Sequence, residues 1–255
     1  MLRRILAHPL TRKLDLDDPG TTQARRTIVL SKSFLKRIYL EWYELIRRSL
    51  PDVAGPVLEI GSGPGFLSDA IPGLITSEVL PCRNVQLLAD ARWLPFASGS
   101  LRAIVMTNVM HHIPDCRPFL AEVSRCLKGG GSLVAVEPWV SGWSRFVYRR
   151  LHHEPFEPDQ KGWRFPEAGP LSAANGALPW IVFHRDRQQF EAEFPQLVIR
   201  RLDPFLPFAY LLSGGVSLRS LVPGFLFAPW RSFERALERR THGCDMFVTI
   251  VVSRQ

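Results

Sequence analysis

A glycine-rich run directly after a short apolar segment is the feature of this sequence that could bind a cofactor. Val57–Ile60 is typical of a buried strand and contains an acid, Glu59, near its end, while three glycines fall within Gly61–Gly65. Glycine has no Cβ, so the backbone can come close to a ligand, and Pro64 suits the first turn of a helix. A helix beginning there would favour an anionic group. The run predicts a strand, a glycine loop and a helix around a nucleoside-bearing cofactor.

The loop does not fit a nicotinamide or flavin dinucleotide. That fingerprint needs a third small residue three places after the middle glycine, where the helix packs closely on the strand. Here Gly63 is followed by Phe66 at that place. A dinucleotide is therefore disfavoured.

Five segments in sequence resemble the motifs of class I S-adenosylmethionine-dependent methyltransferases. They are Glu59–Gly65, Ile75–Glu78, Val85–Phe96, Ala103–Asp115 and Leu127–Pro138. The resemblance covers roughly residues 55 to 138. It implies the class I methyltransferase fold, an α/β, doubly wound, mostly parallel seven-stranded sheet with an antiparallel last strand. It also implies S-adenosyl-L-methionine as the methyl donor.

The resemblance implies cofactor-binding roles for Glu59, Gly61, Ser62, Gly63, Gly65, Glu78, Asp90, Ala91, Thr107 and Asn108. Glu59 would receive the ammonium group of the cofactor, and the loop amides would face its carboxyl group or ribose. Glu78 lies near the offset from Gly61 at which a carboxylate can take both ribose hydroxyls. Asp90 would accept a hydrogen bond from the adenine amino group, and the N–H of Ala91 would donate to the ring.

Two of these acids have a structural alternative. Glu59 could cap the helix after the loop, although caps favour Ser, Thr, Asp or Asn. Glu78 could be an ordinary acid at a strand end, because only residues 79–84 separate it from the next predicted strand. A parallel crossover normally needs about a dozen residues and a helix. Either the usual helix is missing there or the strand assignment is shifted by one element.

Polar residues also follow the predicted fourth strand. Thr107 and Asn108 end this apolar segment at the carboxyl edge of the sheet, where open α/β sheets bind ligands. We expect His111 and His112, just beyond, to hold the following turn together by hydrogen bonds rather than to do chemistry.

Residues 139–190 mix aromatic and polar side chains, which suits an organic acceptor. Methyl transfer is an in-line displacement at carbon, so it needs mainly orientation and exclusion of water. For a hydroxyl acceptor the candidate catalytic base is His153 or His152, with Glu154 as the group that orients it. A metal site made of these three residues and Asp186 is disfavoured because adjacent histidines project differently. No metal is predicted.

Apolar spacing predicts an amphipathic helix over Ser31–Leu50. Two interpretations of this helix stay open: either Tyr39, Trp42 and Tyr43 lie over the cofactor, or the helix is docked on the sheet. Residues 11–22, rich in aspartate, indicate a loop.

The chain divides into an N-terminal helical extension, 1–50, and a methyltransferase domain, 51–255. Acceptor-site insertions are expected at about 139–190 and 204–243. Between the insertions, Gln196–Leu202 reads as a sixth strand. After the second insertion, the β-branched Asp245–Val252 segment reads as the last strand.

Composition and charge limit the binding partners and the cellular compartment that are expected for this chain. Residues 1–50 carry a net charge of +6, residues 51–140 carry −2 and residues 200–255 carry +4. A basic flank could meet nucleic acid or an anionic membrane surface. However, 27 of the 32 basic residues are arginine, which suggests genome composition, and nucleic acid is disfavoured because no basic stripe is interleaved with aromatics. Four cysteines without paired spacing and the lack of a signal peptide predict a cytoplasmic protein.

The segment Pro204–Trp230 is strongly apolar, but prolines, glycines and Arg219 interrupt it, so it is not expected to span a membrane. It could be a lid over an apolar acceptor, a patch at the inner membrane face, or a core or homodimer surface. The predicted function is methyl transfer to a small or lipid-linked metabolite, with oxygen as the acceptor atom. The alternative is a non-catalytic protein of this fold that binds a partner or membrane surface through residues 204–230.

Overall fold

The strands form one mixed sheet. The computed structural model describes residues 8–11, 15–83, 85–151, 154–206, 208–238 and 243–255. Within them the strands are β1 Val57–Ile60, β2 Ile75–Glu78, β3 Leu87–Leu88, β4 Leu101–Thr107, β5 Leu127–Pro138, β6 Leu197–Phe205 and β7 Phe247–Arg254. Their order is β3-β2-β1-β4-β5-β7-β6, and β7 runs antiparallel to both of its neighbours. The predicted seven-stranded class I methyltransferase fold is confirmed.

Helices pack on both faces of this sheet, with contacts from both α2 and α3 to β5. The α-helices are α1 Pro19–Ser31, α2 Ser33–Arg48, α3 Cys116–Cys126, α4 Gly142–Leu151, α5 Leu178–Trp180, α6 Arg187–Glu193, α7 Ala209–Ser213 and α8 Phe227–Glu238. A π-helical turn spans Ile181–Arg185. Single 3₁₀ turns occur at Pro9–Thr11, Leu67–Asp69, Met110–His112 and Gly224–Leu226. No helix within the described ranges has both the length and the apolar character needed to cross a bilayer.

The connections on the β3 side of the sheet are unusually short. The glycine loop leads only into the 3₁₀ turn Leu67–Asp69, so the α-helix predicted after it is wrong. Since β2 already begins at Ile75, residues 61–74 must cross back over the sheet and have room for a single turn. In the next crossover, the described residues 79–83 and 85–86 contain no helix, as expected from its length. A short return therefore places Glu78 at the carboxyl end of a parallel strand.

The N-terminal region contains one more helix than predicted. Helix α1 begins at Pro19, within the segment interpreted as a loop, and residues 12–14 lie outside the described ones. The Asp18 side chain accepts a hydrogen bond from the N–H of Gly20 at 2.6 Å and caps the helix. An aspartate cap followed by proline is a helix-start signal. The sequence therefore contained the signals that predict the start of this helix. Helix α2 forms as predicted within Ser31–Leu50.

Helix α2 and the apolar segment Pro204–Trp230 share one core with the sheet. Trp42 of α2 is fully buried, and its ring lies 5.6 Å from that of Tyr210 and 5.0 Å from that of Phe247 in β7. Part of the segment stays outside the core, because Phe225 is 76% exposed. The segment is thus divided between burial against the domain and an exposed apolar surface. The division of the chain at residue 50 stays a prediction.

We expect Gly61→Ala to destabilise the fold strongly. Gly61 has φ of +66°, and an added Cβ would clash with Cγ2 of Val109 and lie 2.9 Å from its Cγ1. The left-handed conformation costs about 1–2 kcal/mol and the overpacking about 1–3 kcal/mol more. Gly162→Ala is the matched control, since Gly162 has φ of +70° with nothing within 4 Å of an added Cβ. Denaturant unfolding of both variants measures their free energies of unfolding. Gly162→Ala gives the cost of the left-handed conformation alone, and the extra loss in Gly61→Ala gives the cost of the clash with Val109. Equal losses would show that Val109 does not confine the loop.

Candidate active site

One cavity of about 540 Å³ lies at the carboxyl ends of the parallel strands. Its first part, which we call the glycine-loop end, is lined by Gly61, Gly63, Glu78, Asp90, Ala91, Thr107 and Asn108. Its second part, the histidine end, is lined by His111, His112, Tyr148, Glu154, Phe156 and Tyr210. The cavity therefore joins residues that are far apart in the sequence.

Most of the predicted site residues meet in this cavity. Of the predicted cofactor-binding set, Glu59, Ser62 and Gly65 do not line it. The candidate bases His152 and His153 lie outside the described residues. Glu154 lies on the wall of the cavity at the histidine end. Asp186, the remaining member of the disfavoured metal set, instead accepts a hydrogen bond from Trp163 Nε1 at 2.9 Å and pairs with Arg185.

Three N–H groups of the glycine loop are paired within the protein. Ser62 N donates to the carbonyl of Ser77 at 2.9 Å, and Gly65 N donates to the carbonyl of Ser62 at 2.8 Å. Gly63 N donates to Oε2 of Glu78 at 3.1 Å. The glycines of the loop thus provide space for a ligand more than they provide donors.

Glu78 presents a buried carboxylate to the cavity. Only 6% of the residue is exposed, and burial raises its pKa. Oε2 accepts from Gly63, and Oε1 accepts from Val79 N at 2.8 Å. Because a carboxylate oxygen can accept more than one hydrogen bond, both oxygens keep capacity for ligand hydroxyls. A fixed carboxylate at the end of β2 suits recognition of a ribose.

Asp90 is held in place by a neighbouring arginine. Its Oδ2 lies 2.8 Å from Arg92 Nη2, and Arg92 also pairs with Glu167 on the cavity wall. Burial alone would raise the pKa of Asp90, but the hydrogen bonds from Arg92 outweigh it and lower that pKa. The carboxylate is therefore anionic and oriented at the cavity edge, next to Ala91.

Thr107 and Asn108 at the end of β4 carry two signs of a ligand site. Thr107 Oγ1 is buried and has no hydrogen-bond partner among the described residues. Asn108 has φ of +56°, a conformation that few non-glycine residues adopt and that is often found at functional sites. Both residues line the cavity, so a ligand could satisfy the hydroxyl that the protein leaves unpaired.

Glu59 lies in the protein interior instead of on the cavity wall. It is 3% exposed, and its burial, followed by the charge of Glu78, raises its pKa to about 7. Its role as partner of a cofactor ammonium group stays a prediction.

The histidine end is organised by Glu137, a fully buried residue at the end of β5 that was not among the predicted site residues. Its Oε1 accepts from the N–H groups of Val109 and Met110, both at 2.8 Å. Its Oε2 lies 2.7 Å from Nδ1 of His111. The sequence signal that could have identified Glu137 is its position as an acid at the end of an otherwise apolar strand. Glu137 fixes both the turn after β4 and the orientation of the His111 ring.

Glu154 lies opposite the two histidines. Its oxygens are 3.5 Å from Nε2 of His111 and 3.8 Å from Nε2 of His112. Burial alone would lower the pKa of His111, but hydrogen bonds to Glu137 and Glu154 outweigh it and raise that pKa to about 9. Burial, aided by the charge of His111, lowers the pKa of His112 to about 4. The two histidines thus hold the turn, as expected, and also form a polar cluster with Glu154.

The N-terminal helices close one side of the cavity. Thr22 and Arg25 of α1 and Tyr39 of α2 line it. Trp42 does not, and Tyr43 is docked on the domain, where its hydroxyl oxygen accepts from Phe66 N at 3.0 Å. Helix α2 is therefore docked on the domain, and of the three aromatic residues only Tyr39 lines the cavity; its position over a cofactor stays a prediction.

Comparison with known proteins agrees with this geometry. Residues 58–135 match the family described as a methyltransferase domain. A geranyl diphosphate C-methyltransferase from Streptomyces coelicolor A3(2), solved with Mg²⁺, geranyl diphosphate and S-adenosyl-L-homocysteine, is 16% identical with a TM-score of 0.50. The alignment covers 98% of this chain and 92% of that one. A search of curated proteins finds no match.

A second solved structure, a SAM-dependent methyltransferase from Methanosarcina mazei, is 17% identical with a TM-score of 0.44 and covers 82% of this chain and 96% of that one. At 16% identity the Streptomyces coelicolor structure informs on the fold alone. The strand order and the cavity at the carboxyl edge define a class I α/β methyltransferase architecture. The match of residues 58–135 to the methyltransferase-domain family agrees with this architecture.

Glu59→Gln is expected to change the pH dependence of stability. The pKa of Glu59 rises from 4.5 to about 7 on folding. The stability linked to its protonated form is therefore present below about pH 4.5 and is lost as the pH rises through about 7. This loss is on the order of 3 kcal/mol. Denaturant unfolding between pH 4.5 and 8 should show the wild type losing stability relative to Glu59→Gln, while exposed Glu191→Gln tracks the wild type. Parallel curves for wild type and Glu59→Gln would contradict this assignment.

Proposed function

We propose that this chain transfers a methyl group from S-adenosylmethionine to an oxygen atom of a small or lipid-linked, largely apolar metabolite. The observation that carries the proposal is the single cavity that joins the glycine-loop end to the histidine end. One end offers the carboxylates that a nucleoside needs, and the other offers aromatic walls with a polar cluster. Two ligands could therefore meet end to end inside one cavity.

Four residues of the glycine-loop end would hold the donor. The Glu78 carboxylate would accept from the ribose hydroxyls, and Asp90 from the adenine amino group, beside the N–H of Ala91. Thr107 Oγ1, which lacks a partner among the described residues, would bond to the methionine part. When bound, S-adenosylmethionine supplies a methyl carbon activated by a positively charged sulfur. The chain itself needs to align this carbon with the acceptor and to exclude water.

The histidine end would orient and deprotonate the acceptor. Tyr148 and Phe156 are stacked with their ring centroids 4.6 Å apart, and with Tyr210 they offer an apolar wall. A hydroxyl that reaches past this wall meets Glu154, which can accept its proton. The oxygen then forms a bond to the methyl carbon, the carbon–sulfur bonding pair stays on sulfur, and the proton remains on the carboxylate. Exclusion of water by α1 and α2 would favour this transfer over hydrolysis.

The competing proposal is a non-catalytic protein of this fold that binds a partner, a membrane surface or a second copy of itself. The exposed apolar side chains of residues 204–230 favour it, among them Leu221, which is 58% exposed, and Phe225. This proposal does not require the cavity to bind a nucleoside. Cofactor binding therefore discriminates between the two.

Calorimetric titration with S-adenosylhomocysteine should show one site per chain and depend on Glu78. We expect Glu78→Gln to weaken binding roughly 10- to 100-fold, since a hydrogen bond to a charged group contributes about 1.5–3 kcal/mol. Glu193→Gln, which removes a surface acid paired with Arg117, is the matched control and should bind like the wild type. Circular dichroism of each variant checks that the fold is intact.

A wild-type chain that shows no binding at high micromolar S-adenosylhomocysteine would contradict the enzymatic proposal and favour the binding protein. The acceptor atom needs a separate readout. Incubation with deuteriomethyl-labelled S-adenosylmethionine and a metabolite extract, followed by mass spectrometry and NMR of the labelled product, distinguishes a methoxy group from a methyl on carbon. A labelled methyl on carbon would overturn the assignment of oxygen.

A further inference from the structure

The cavity contains a second group of residues with a recognisable coordination pattern. We infer that His111, His112 and Glu154 bind a divalent transition-metal ion at the histidine end. The role of that ion, holding an oxygen of the acceptor, rests on the proposed function, whereas its binding does not.

The three side chains converge on one point. One ligand atom from each lies within 4.8 Å of those from the other two. Glu154 oxygens are 3.5 Å and 3.8 Å from the two histidine Nε2 atoms. Ligands about 2.1 Å from a tetrahedral metal lie about 3.4 Å from one another, so only a small adjustment is required. Adjacent histidines usually diverge, but the 3₁₀ turn Met110–His112 brings these rings to 4.3 Å between centroids.

The Nε2 atoms of both histidine rings are already oriented for coordination, because the Nδ1 atoms are held by hydrogen bonds. His111 Nδ1 donates to the Glu137 carboxylate at 2.7 Å, and His112 Nδ1 donates to the carbonyl of Ala173 at 3.1 Å. A proton on each Nδ1 leaves the lone pair on Nε2, which is the atom directed at Glu154. Metal-binding histidines almost always have such a carboxylate or carbonyl partner on the second nitrogen. An ordinary pair of structural histidines does not require both rings to be fixed in this way.

The local charge also favours a cation. Glu137 is fully buried, and the Glu154 side chain is 13% exposed, so two carboxylates share a small volume poor in water. Without an ion, the proton that His111 holds between these acids compensates only one of the two charges. The nearby Tyr148 is neutral, because burial raises its pKa well above 10. A divalent ion between the histidines and Glu154 would balance both acids.

The donor set selects the kind of metal. Two imidazole nitrogens and one carboxylate oxygen suit Zn²⁺, Fe²⁺ or Co²⁺, whereas Mg²⁺ and Ca²⁺ prefer oxygen ligands alone. Three protein ligands leave at least one position open, as in catalytic metal sites. That position faces the cavity, where an acceptor hydroxyl or phosphate oxygen could occupy it. The second oxygen of Glu154 would accept the proton of that hydroxyl.

The test is a titration of the untagged, chelator-treated full-length chain with Co²⁺, followed by its visible d–d absorption. We expect one Co²⁺ per chain and the intense bands of a four- or five-coordinate site. His112→Ala and Glu154→Gln should each weaken Co²⁺ binding by at least about 100-fold, because each loses a direct ligand and changes in outer partners alone cost about 10–100-fold. His184→Ala is the matched control, since His184 packs against Trp139 and Trp180 outside the cluster.

Titration of the same variants with S-adenosylhomocysteine in the absence of metal shows whether each cavity is intact. Loss of Co²⁺ binding with retained S-adenosylhomocysteine binding supports the metal site. Absence of d–d bands in the wild type, or equal Co²⁺ affinity in the wild type, His112→Ala and Glu154→Gln, would overturn it and leave a proton shared by His111 and its two acids. Failure of S-adenosylhomocysteine to bind the wild type would count against the proposed function alone.

Discussion

The hydrogen bond from Gly63 N to Glu78 Oε2 is the constraint on which the glycine-loop end depends. It ties the loop after β1 to the end of β2 and keeps a buried carboxylate directed at the cavity. Glycine suits this position, because Gly63 has φ of +31° and an added Cβ would lie 3.1 Å from that same oxygen. With no α-helix after the loop, this bond and the pairing of Ser62 with Ser77 hold the loop in place. The loop is therefore positioned by β2 more than by a following helix.

A similar arrangement supports the other end of the cavity. Glu137 at the end of β5 binds the backbone of the turn after β4 and the ring of His111. Two buried acids, at the ends of β2 and β5, thus organise the two ends of the cavity, Glu78 near the predicted donor and Glu137 behind the polar cluster. Since both are held by backbone N–H groups, the cavity is shaped before any ligand arrives, which lowers the entropy cost of binding.

Much of this could be predicted from the sequence. Glycines, strand-end acids and apolar segments are local signals, so they predicted the individual strands, and the resemblance to the family implied the fold that brings Gly63, Glu78 and Asp90 to one edge. Helix α1 was also signalled, by Asp18 and Pro19, but a run of aspartates concealed it. The length of residues 61–74 left no room for a full helix after the loop, yet the glycine run and Pro64 favoured one.

The histidine end could not be predicted in the same way. Glu154 contacts His111 and His112 across more than 40 residues of chain, and nothing local to either segment indicates that pairing. The importance of Glu137 depends on which backbone groups need a partner, and that is decided by the tertiary fold. The convergence of two adjacent histidines likewise depends on a 3₁₀ turn that their types do not specify.

The most direct test of this account is a crystal structure of the chain with S-adenosylhomocysteine. We predict that the ribose hydroxyls lie within hydrogen-bonding distance of Glu78, the adenine lies beside Asp90, and the sulfur points along the cavity towards Glu154. Density for the ligand outside the cavity, or a ribose turned away from Glu78, would contradict the account.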